Sequence, residues 1–189
     1  NQVSLNGLFK WGDGLLAQPD REVLIKLVAQ ALPTYIMGVL KLPYSVCDDL
    51  TRMVRNCYRR SSKGKRKVHW RGWDHLLQPK SKGGAGFWDF RMFNQALLAR
   101  QAWRLLTKPE SLCAQVLKAR YYPSGNLVDT IFSGNASSSW LAISHGLDLL
   151  KKGLIWRVGN GRSIRIWRDA WIPKPFSYRP ILAQGTYRY

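Results

Sequence analysis

The segment from residue 67 to residue 90 restricts the fold most, because it interrupts any helix that enters it. Its sequence is KVHWRGWDHLLQPKSKGGAGFWDF, with a proline at position 79 and glycines at 83, 84 and 86. Pro79 ends a short helix predicted over 73–78, and the glycines permit the positive φ angles of a tight loop. Asp89 stands where a helix N-cap is expected. The segment is therefore predicted to be a junction that packs aromatic side chains between two helical regions.

A second interpretation of the same loop is contact with phosphate. Lys80 and Lys82 lie beside glycine amides and just ahead of a helix N-terminus, where anions are favoured. The loop lacks the lysine and the hydroxyl of a Walker motif, so the pattern is weak for nucleotides. Both interpretations are open from the sequence.

The charge balance favours a polyanionic partner. The 189 residues contain 30 Lys and Arg against 11 Asp and Glu, a net charge of +19. Such an excess opposes compaction by self-repulsion, and RNA and/or DNA would relieve it. The hydrophobic share of 46% argues against a disordered chain. No small-molecule substrate is indicated.

The spacing of the cysteines and the absence of long apolar runs limit the cellular compartments in which this protein is expected. Cys47, Cys57 and Cys113 are widely spaced and odd in number, which is typical of free thiols in a reducing compartment. No apolar run approaches the roughly 20 residues of a membrane span, and no signal peptide is recognised. A membrane protein and a secreted protein are therefore not expected.

Apolar spacing predicts helices along most of the chain. One helix is expected after Asp20, one after Ser45, one over 91–107, one over 111–121 and one over 140–150. The residues expected on their buried faces are Val23, Leu24, Leu27, Val28, Ala31 and Leu32, then Val46, Leu50, Met53, Val54 and Cys57, then Phe93, Ala96, Leu97, Arg100, Trp103 and Leu106, then Leu112, Val116 and Leu117.

The basic run at 59–67, RRSSKGKRK, is the sharpest composition break. Its six cations are Arg59, Arg60, Lys63, Lys65, Arg66 and Lys67. A charge run of this kind is a solvated linker, a nucleic-acid contact or a nuclear-import signal, and the sequence leaves all three open.

A β-hairpin is predicted near the C-terminus, where 154–158 and 163–167 flank Gly-Asn-Gly. A three-residue loop would pair Trp156 with Ile164 and gather the apolar residues on one face. Arg157 and Arg165 would then share the other face, and a phosphate contact is predicted there and at Arg162. The alternative is that these arginines point into water or meet Asp169.

The predicted fold class is mostly α, a multi-helix bundle of about six helices with a small C-terminal β-hairpin, in two subdomains. Residues 1–58 form a first helical subdomain and 59–67 a basic linker. Residues 68–173 form a second helical subdomain that includes the hairpin, and 174–189 an irregular tail.

Catalytic and metal-binding residues are not predicted in this chain. Asp48 and Asp49 are adjacent acids, but they fall in the first turn of a predicted helix, where the helix dipole stabilises them. Cys47, Cys57, His69 and His75 are too far apart for paired zinc ligands.

Several ordered motifs resemble one family. After the junction, with its HW, W, PK, GG and GF, comes FNQALLARQAWRLL; upstream lies REVLIKLVAQALPTYIMGVLKLP; downstream lie LKARYYPSG, SSSW and LLKKGLIWRVGNGRSIRIWRDAWIP. Over about residues 15–173 the chain resembles the non-LTR (LINE-type) retroelement reverse transcriptases of plants. The chain departs from the family pattern at AQPDRE and at CYRRSSKGKR.

The resemblance implies a non-catalytic piece of a reverse transcriptase, its thumb (1–58) and post-thumb connector (68–173). This region lies between the polymerase palm and the zinc-knuckle and ribonuclease-H-like region. It would hold template–primer nucleic acid through phosphate contacts and adjoin the upstream palm, to which the Mg²⁺ ions would belong. A nuclear location is expected, with a mitochondrial one as the alternative. The alternative functions are an inactive decayed element fragment, nuclear or organellar, and a stand-alone basic RNA-binding scaffold.

Overall fold

The computed structural model describes residues 16–59, 71–130, 136–162, 164–167, 169–173, 178 and 180. The described residues form α-helices joined by turns: α1 Gln18–Leu24, α2 Thr34–Met37, α3 Tyr44–Arg59, α4 Trp73–Leu77, α5 Phe90–Thr107, α6 Leu112–Tyr121 and α7 Ser138–Gly153. A π-helical segment, Ile25–Ala29, continues α1, and 3-10 turns occupy Lys80–Lys82 and Leu127–Asp129. None of the helices in these ranges has both the length and the apolar composition needed to cross a bilayer.

The chain divides into two compact units, residues 1–149 and 150–189. The first unit has a core built from both sides of the basic run at 59–67. Its buried members are Ile25, Ala29, Met37, Cys47, Val54, Ala85, Phe87 and Phe90. The N-terminal helices therefore share their core with the loop before α5 and with the start of α5.

The described part of the junction, residues 71–90, packs aromatic side chains as predicted. Phe87 is buried, and the ring of Trp73 stacks on it with centroids 5.4 Å apart. Tyr58 meets the same ring edge-on at 5.0 Å. Gly83 and Gly86 have φ angles of +79° and +69°, which residues with a Cβ rarely adopt. Asp89 caps α5 by accepting hydrogen bonds from the backbone N–H groups of Arg91 and Met92.

The predicted buried faces of α1 and α6 are wrong, and that of α5 is correct only in part. In α1 and its continuation Ile25 and Ala29 are buried, whereas Leu27 is 70% exposed. In α6 Ala114 is buried and Leu112 is 78% exposed. In α5 Phe93 and Leu97 pack against the core as predicted, but Trp103 is 47% exposed, and the fully buried residues are Phe90, Asn94, Leu98, Ala99, Ala102 and Leu105. Apolar residues occur on more than one side of these helices, so the packing partner decides which side is covered.

Helix α3 follows its sequence pattern more closely. Val54 is buried, and Leu50 and Cys57 pack against the core, as predicted. Val46 is exposed, and the buried residue beside it is Cys47. The sequence pattern of α3 predicts its buried side well because the other side is strongly polar, with Asp49, Arg52 and Asn56.

Two close contacts fix α5 in the first unit. The buried side chain of Asn94 makes three hydrogen bonds to the backbone between α2 and α3: its Oδ1 accepts from Leu42 N–H, and its Nδ2 donates to the carbonyls of Met37 and Leu40. On α7, Gly146 lies so close to the backbone of Leu98 that a Cβ there would be 2.3 Å from the Leu98 carbonyl carbon.

The predicted β-hairpin is wrong: the described residues of the second unit contain no strand. The Trp156 N–H donates to the Ala170 carbonyl at 2.7 Å, and the Arg165 N–H donates to Asp169 Oδ2 at 2.8 Å. The Ile166 carbonyl accepts from the indole N–H of Trp171. Backbone groups that a strand ladder would pair thus have other partners, although Gly161 does adopt the positive φ expected of the turn. Residue 163 and most of the predicted tail at 174–189 lie outside the described residues.

Candidate nucleic-acid interface

The basic run is described only at its first residue. Arg59 is the last residue of α3 and is partly buried. Arg60, Lys63, Lys65, Arg66 and Lys67 lie outside the described residues. The predicted nucleic-acid contact of the run therefore stays a prediction.

Lys80 ties the glycine loop to α1. Its Nζ lies 3.0 Å from Glu22 Oε1, which also accepts from Lys26 Nζ at 2.7 Å. Lys26 in turn donates to the Ala85 carbonyl and lies over the Phe87 ring. The hydrogen bond from Lys26, with a smaller one from Lys80, holds the pKa of Glu22 below its ordinary value of 4.5. Lys80 therefore has a structural partner while its side chain remains largely exposed.

The backbone amides of the glycine loop are already used. The N–H groups of residues 83 to 87 donate to carbonyls of the preceding turn at 2.9–3.3 Å; the acceptors are Lys80, Pro79, Leu76, Gln78 and again Leu76. A Cβ on Gly84 would come within 2.0 Å of the Gln78 carbonyl oxygen, so this glycine is needed for close approach. An anion near this loop would meet the side chains of Lys80 and the exposed Lys82 rather than a cradle of amides.

The three arginines predicted in the C-terminal unit differ in their surroundings. Arg165 Nη2 lies 3.0 Å from Asp169 Oδ1, and Asp169 is 8% exposed. Arg157 and Arg162 are exposed. The pairing with Asp169 is the alternative that the sequence left open for Arg165, and Arg157 and Arg162 offer the more accessible charge.

Asp48 and Asp49 do not fit the paired carboxylates that hold polymerase metals. Both lie in α3 after its first turn, one turn later than the sequence predicts, and not at a turn between strands. Arg91 Nη2 donates to both oxygens of Asp48 at 2.5 and 2.6 Å, and Arg52 Nη1 lies 2.9 Å from Asp49. In the described ranges no group of three or more His, Cys, Asp or Glu side chains is placed to hold a metal ion.

One group of exposed cations, at the C-terminal end of α5, is not predicted from the sequence. Arg100 and Arg104 in α5 and Lys108, which directly follows the helix, are all exposed, and Trp103 beside them is 47% exposed. The sequence pattern predicts that Arg100 and Trp103 lie on the buried face of α5. The spacing of Arg100 and Arg104 was the available signal, since residues four apart lie on one side of a helix.

An apolar surface covers the outer side of the first elements. Leu27 and Tyr35 are 70% and 84% exposed, in a part of the chain where charge is nearly balanced. We call the following exposed residues the N-terminal apolar surface: Val23, Leu27, Leu32, Tyr35, Ile36 and Val39. A monomeric protein rarely leaves so many large apolar side chains exposed in one short segment, so this surface is suited to a protein contact.

Comparison with known proteins gives two relatives in Arabidopsis thaliana. One is the "Uncharacterized mitochondrial protein AtMg00310", 36% identical over 143 residues, which are 75% of this chain and 93% of that protein. The other is the "Putative ribonuclease H protein At1g65750", 33% identical over 176 residues, which are 91% of this chain and 28% of that protein. The chain thus spans little more than a quarter of this longer relative.

Both relatives are typical of sequences related to plant retroelements. The first relative's name fits the mitochondrial alternative for location, and neither name supports the nucleus. No protein-family model matches the chain, and no solved structure matches it.

Proposed function

The chain belongs to the family of the mitochondrial protein AtMg00310 of Arabidopsis thaliana, and we propose that it is a non-catalytic, retroelement-derived segment that binds nucleic acid. In the finer form of the proposal, it is the thumb and post-thumb connector of a LINE-type reverse transcriptase. Its ligand is the phosphate backbone of template–primer nucleic acid, and its location is the mitochondrion.

The observation that carries this proposal is the surplus of positive charge over a well-packed helical core. Of the few acids, Glu22, Asp48, Asp49 and Asp169 are held in ion pairs within the described residues. Asp89 is engaged as a helix cap. The net charge of +19 is therefore left for an external polyanion.

The N-terminal apolar surface supports a partner on the upstream side. In the longer relative, the segment similar to this chain makes up only 28% of the length. A folded domain beside this segment would cover the exposed side chains of α1 and α2 and gain their burial. In the finer proposal that domain is the polymerase palm of the parent protein.

A second candidate is a stand-alone basic RNA-binding scaffold. One observation favours it: the matched segment is 93% of the mitochondrial relative, so a protein of nearly this extent occurs by itself. Sequencing the transcript that carries the segment separates the two candidates. An upstream reading frame in phase, with paired aspartates, supports the reverse-transcriptase piece, and its absence from the transcript supports the scaffold.

Nucleic-acid binding is tested by its salt dependence. If the basic run neutralises roughly five phosphates, log affinity for a duplex falls with log salt at a slope of about −4 to −5. Replacing Lys63, Lys65 and Lys67 by Ser should make the slope shallower by about 2 to 3. The matched control replaces the exposed Lys118, Lys151 and Lys152 by Ser, which removes the same charge elsewhere. Equal slopes for the two variants would show that the run is a solvated linker.

The non-catalytic part of the proposal has its own test. Primer extension on an RNA template with Mg²⁺ should give no nucleotide incorporation by the isolated chain. Asp48 and Asp49 lie on a helix and form ion pairs with arginines, so they are not placed to hold the metal ions. Incorporation that is abolished by Asp48→Asn with Asp49→Asn would overturn it.

A further inference from the structure

We propose that the outer side of α5 is a binding site for single-stranded nucleic acid, in which an unpaired base stacks on Trp103 and the phosphates meet Arg100, Arg104 and Lys108. We call these four residues the α5 stacking site. This inference rests on the proposed function, because both require a nucleic-acid ligand. It adds a site and a strand preference that the charge balance alone does not supply.

Trp103 stands on a rigid support. The opposite side of α5 is fully packed, with Leu98 and Ala102 buried. Asn94 fixes the helix to the α2–α3 connection by three hydrogen bonds. A half-exposed indole on such a helix is held in place before a ligand arrives, which lowers the entropy lost on binding.

The cations beside Trp103 are arranged at a cost to the helix. Arg100 and Arg104 are four residues apart in α5, about 6 Å along the helix axis, and Lys108 directly follows the end of the helix, so that like charges are neighbours. Arg104 Nη1 donates to Gln101 Oε1 at 3.2 Å, a neutral partner that leaves the charge uncompensated. From residue 90 to residue 128 the sequence has a single acid, Glu110. A row of phosphates would remove this repulsion.

The helix dipole explains only part of this group of cations. Cations in the last turn of a helix interact favourably with its C-terminal end, which covers Arg104 and Lys108. Arg100 lies two turns before the end of α5 at Thr107, beyond the reach of that effect. A ligand-binding role accounts for Arg100 and for the exposure of Trp103 together.

The aromatic ring decides between single and double strands. In a duplex the faces of the bases are covered by their neighbours, so an indole has no face to stack on. In a single strand each base can stack on an aromatic side chain, and the contact is tolerant of sequence. The α5 stacking site is therefore expected to favour single strands, whereas phosphate contacts alone would bind both forms.

The test measures binding of the full chain to two fluorescein-labelled probes, an oligouridylate of roughly 15 nucleotides and a duplex of the same length. Trp103→Ala should weaken binding of the oligouridylate by about fivefold or more. Binding of the duplex should change little. Trp103→Phe should retain most of the affinity for the single strand, and Trp103→Leu should not, because leucine supplies apolar volume without an aromatic face. Met92→Ala removes a residue 69% exposed on the same helix and serves as the matched control.

The outcomes distinguish a failure of the proposed function from a failure of the α5 stacking site alone. If the unaltered chain binds neither probe, the proposed function fails and the site fails with it. If it binds both probes and Trp103→Ala binds the oligouridylate as tightly, the site is overturned while the proposed function stands. Equal weakening for both probes in a correctly folded variant would also overturn it, since it would show a loss of general charge contact. Circular dichroism identifies a misfolded Ala variant, in which case the comparison of Phe with Leu decides.

Discussion

Asn94 and Leu42, which lie 52 positions apart in the chain, are joined by a hydrogen bond of 2.9 Å from the Leu42 N–H to Asn94 Oδ1. The same amide group donates to the carbonyls of Met37 and Leu40, at 2.7 and 3.0 Å. One buried side chain thus satisfies three backbone groups in the connection between α2 and α3. A buried polar residue of this kind is stable only when all its partners are present.

Asn94→Leu should therefore be strongly destabilising. Leucine has the same number and branching of side-chain heavy atoms, but it leaves the Leu42 N–H and two carbonyls without their partner in a buried or partly buried place. Complete loss of a hydrogen bond from a buried group costs about 1–3 kcal/mol. Allowing for partial access of water, we expect the free energy of unfolding to fall by about 2–4 kcal/mol, measured by urea denaturation. The same substitution at the exposed Asn56 of α3 is the control and should change it by less than about 0.5 kcal/mol.

Gly146→Ala should destabilise the first unit. The new methyl group would lie 2.3–2.5 Å from backbone atoms of Leu98 and Ala99, and backbone cannot move aside as a flexible side chain can. The expected loss is about 1–3 kcal/mol in a thermal or denaturant unfolding experiment.

Gly153→Ala is a matched control for that variant. It is the same change in the same helix, with nothing within 4 Å of the added Cβ. It should be neutral or slightly stabilising, by up to about 1 kcal/mol, because alanine restricts the unfolded chain. Similar losses for both variants would show that α7 does not approach α5 at Gly146.

A pair of alanine substitutions tests which side of the π-helical continuation of α1 is buried. Ile25 is 0% exposed, so Ile25→Ala should lower the free energy of unfolding by about 2–5 kcal/mol. Leu27 is exposed, and Leu27→Ala should lower it by less than about 0.5 kcal/mol. The apolar spacing of the sequence predicts the larger loss for Leu27→Ala. A larger loss at Leu27 would therefore show that Leu27, and not Ile25, is buried.

Glu22 should contribute a pH-dependent part of the stability. Its pKa in the folded state lies below the ordinary value of 4.5, mainly because of the hydrogen bond from Lys26. The contribution is therefore fully present above pH 4.5 and is lost as the pH falls through the lower folded pKa.

Glu22→Gln tests this linkage. The variant should be less stable than the unaltered chain at neutral pH, and the difference should shrink below about pH 4.5. Urea denaturation at several pH values measures it, with Glu110→Gln at an exposed position as the control. A difference that is constant across the acid range would mean that the Glu22 carboxylate does not stabilise the fold by its charge.

The local features of the fold follow from the sequence by itself. Pro79 and the glycines require a break and positive φ angles between α4 and α5, and both are found. Asp89 caps α5 because its short acidic side chain reaches the first free N–H groups of the helix. Helix α3 buries Val54 because one side of it is polar. In each case the cause lies within a few residues, so a sequence pattern is sufficient.

The candidate interface is only partly a sequence property. The excess of Lys and Arg predicts a polyanionic ligand, whatever the fold. The accessibility of each cation is a tertiary matter: Lys80 meets Glu22 from another helix, and Arg91 meets Asp48 across 43 positions. Trp103 reads as a core residue in the sequence, and packing of the opposite side of α5 leaves it half exposed.

Tertiary structure alone decided which side of α1, α5 and α6 is covered and whether the C-terminal segment forms strands. These helices carry apolar residues around much of their circumference, so the free energy of burial depends on the neighbouring element and not on the helix's own pattern. The apolar alternation at 154–166 is compatible with a hairpin, but the Trp156 N–H donates to the distant Ala170 carbonyl, and Asp169 and Trp171 bind the backbone of Arg165 and Ile166. Propensity sets what a segment can form, and competing contacts from other parts of the chain determine what it does form.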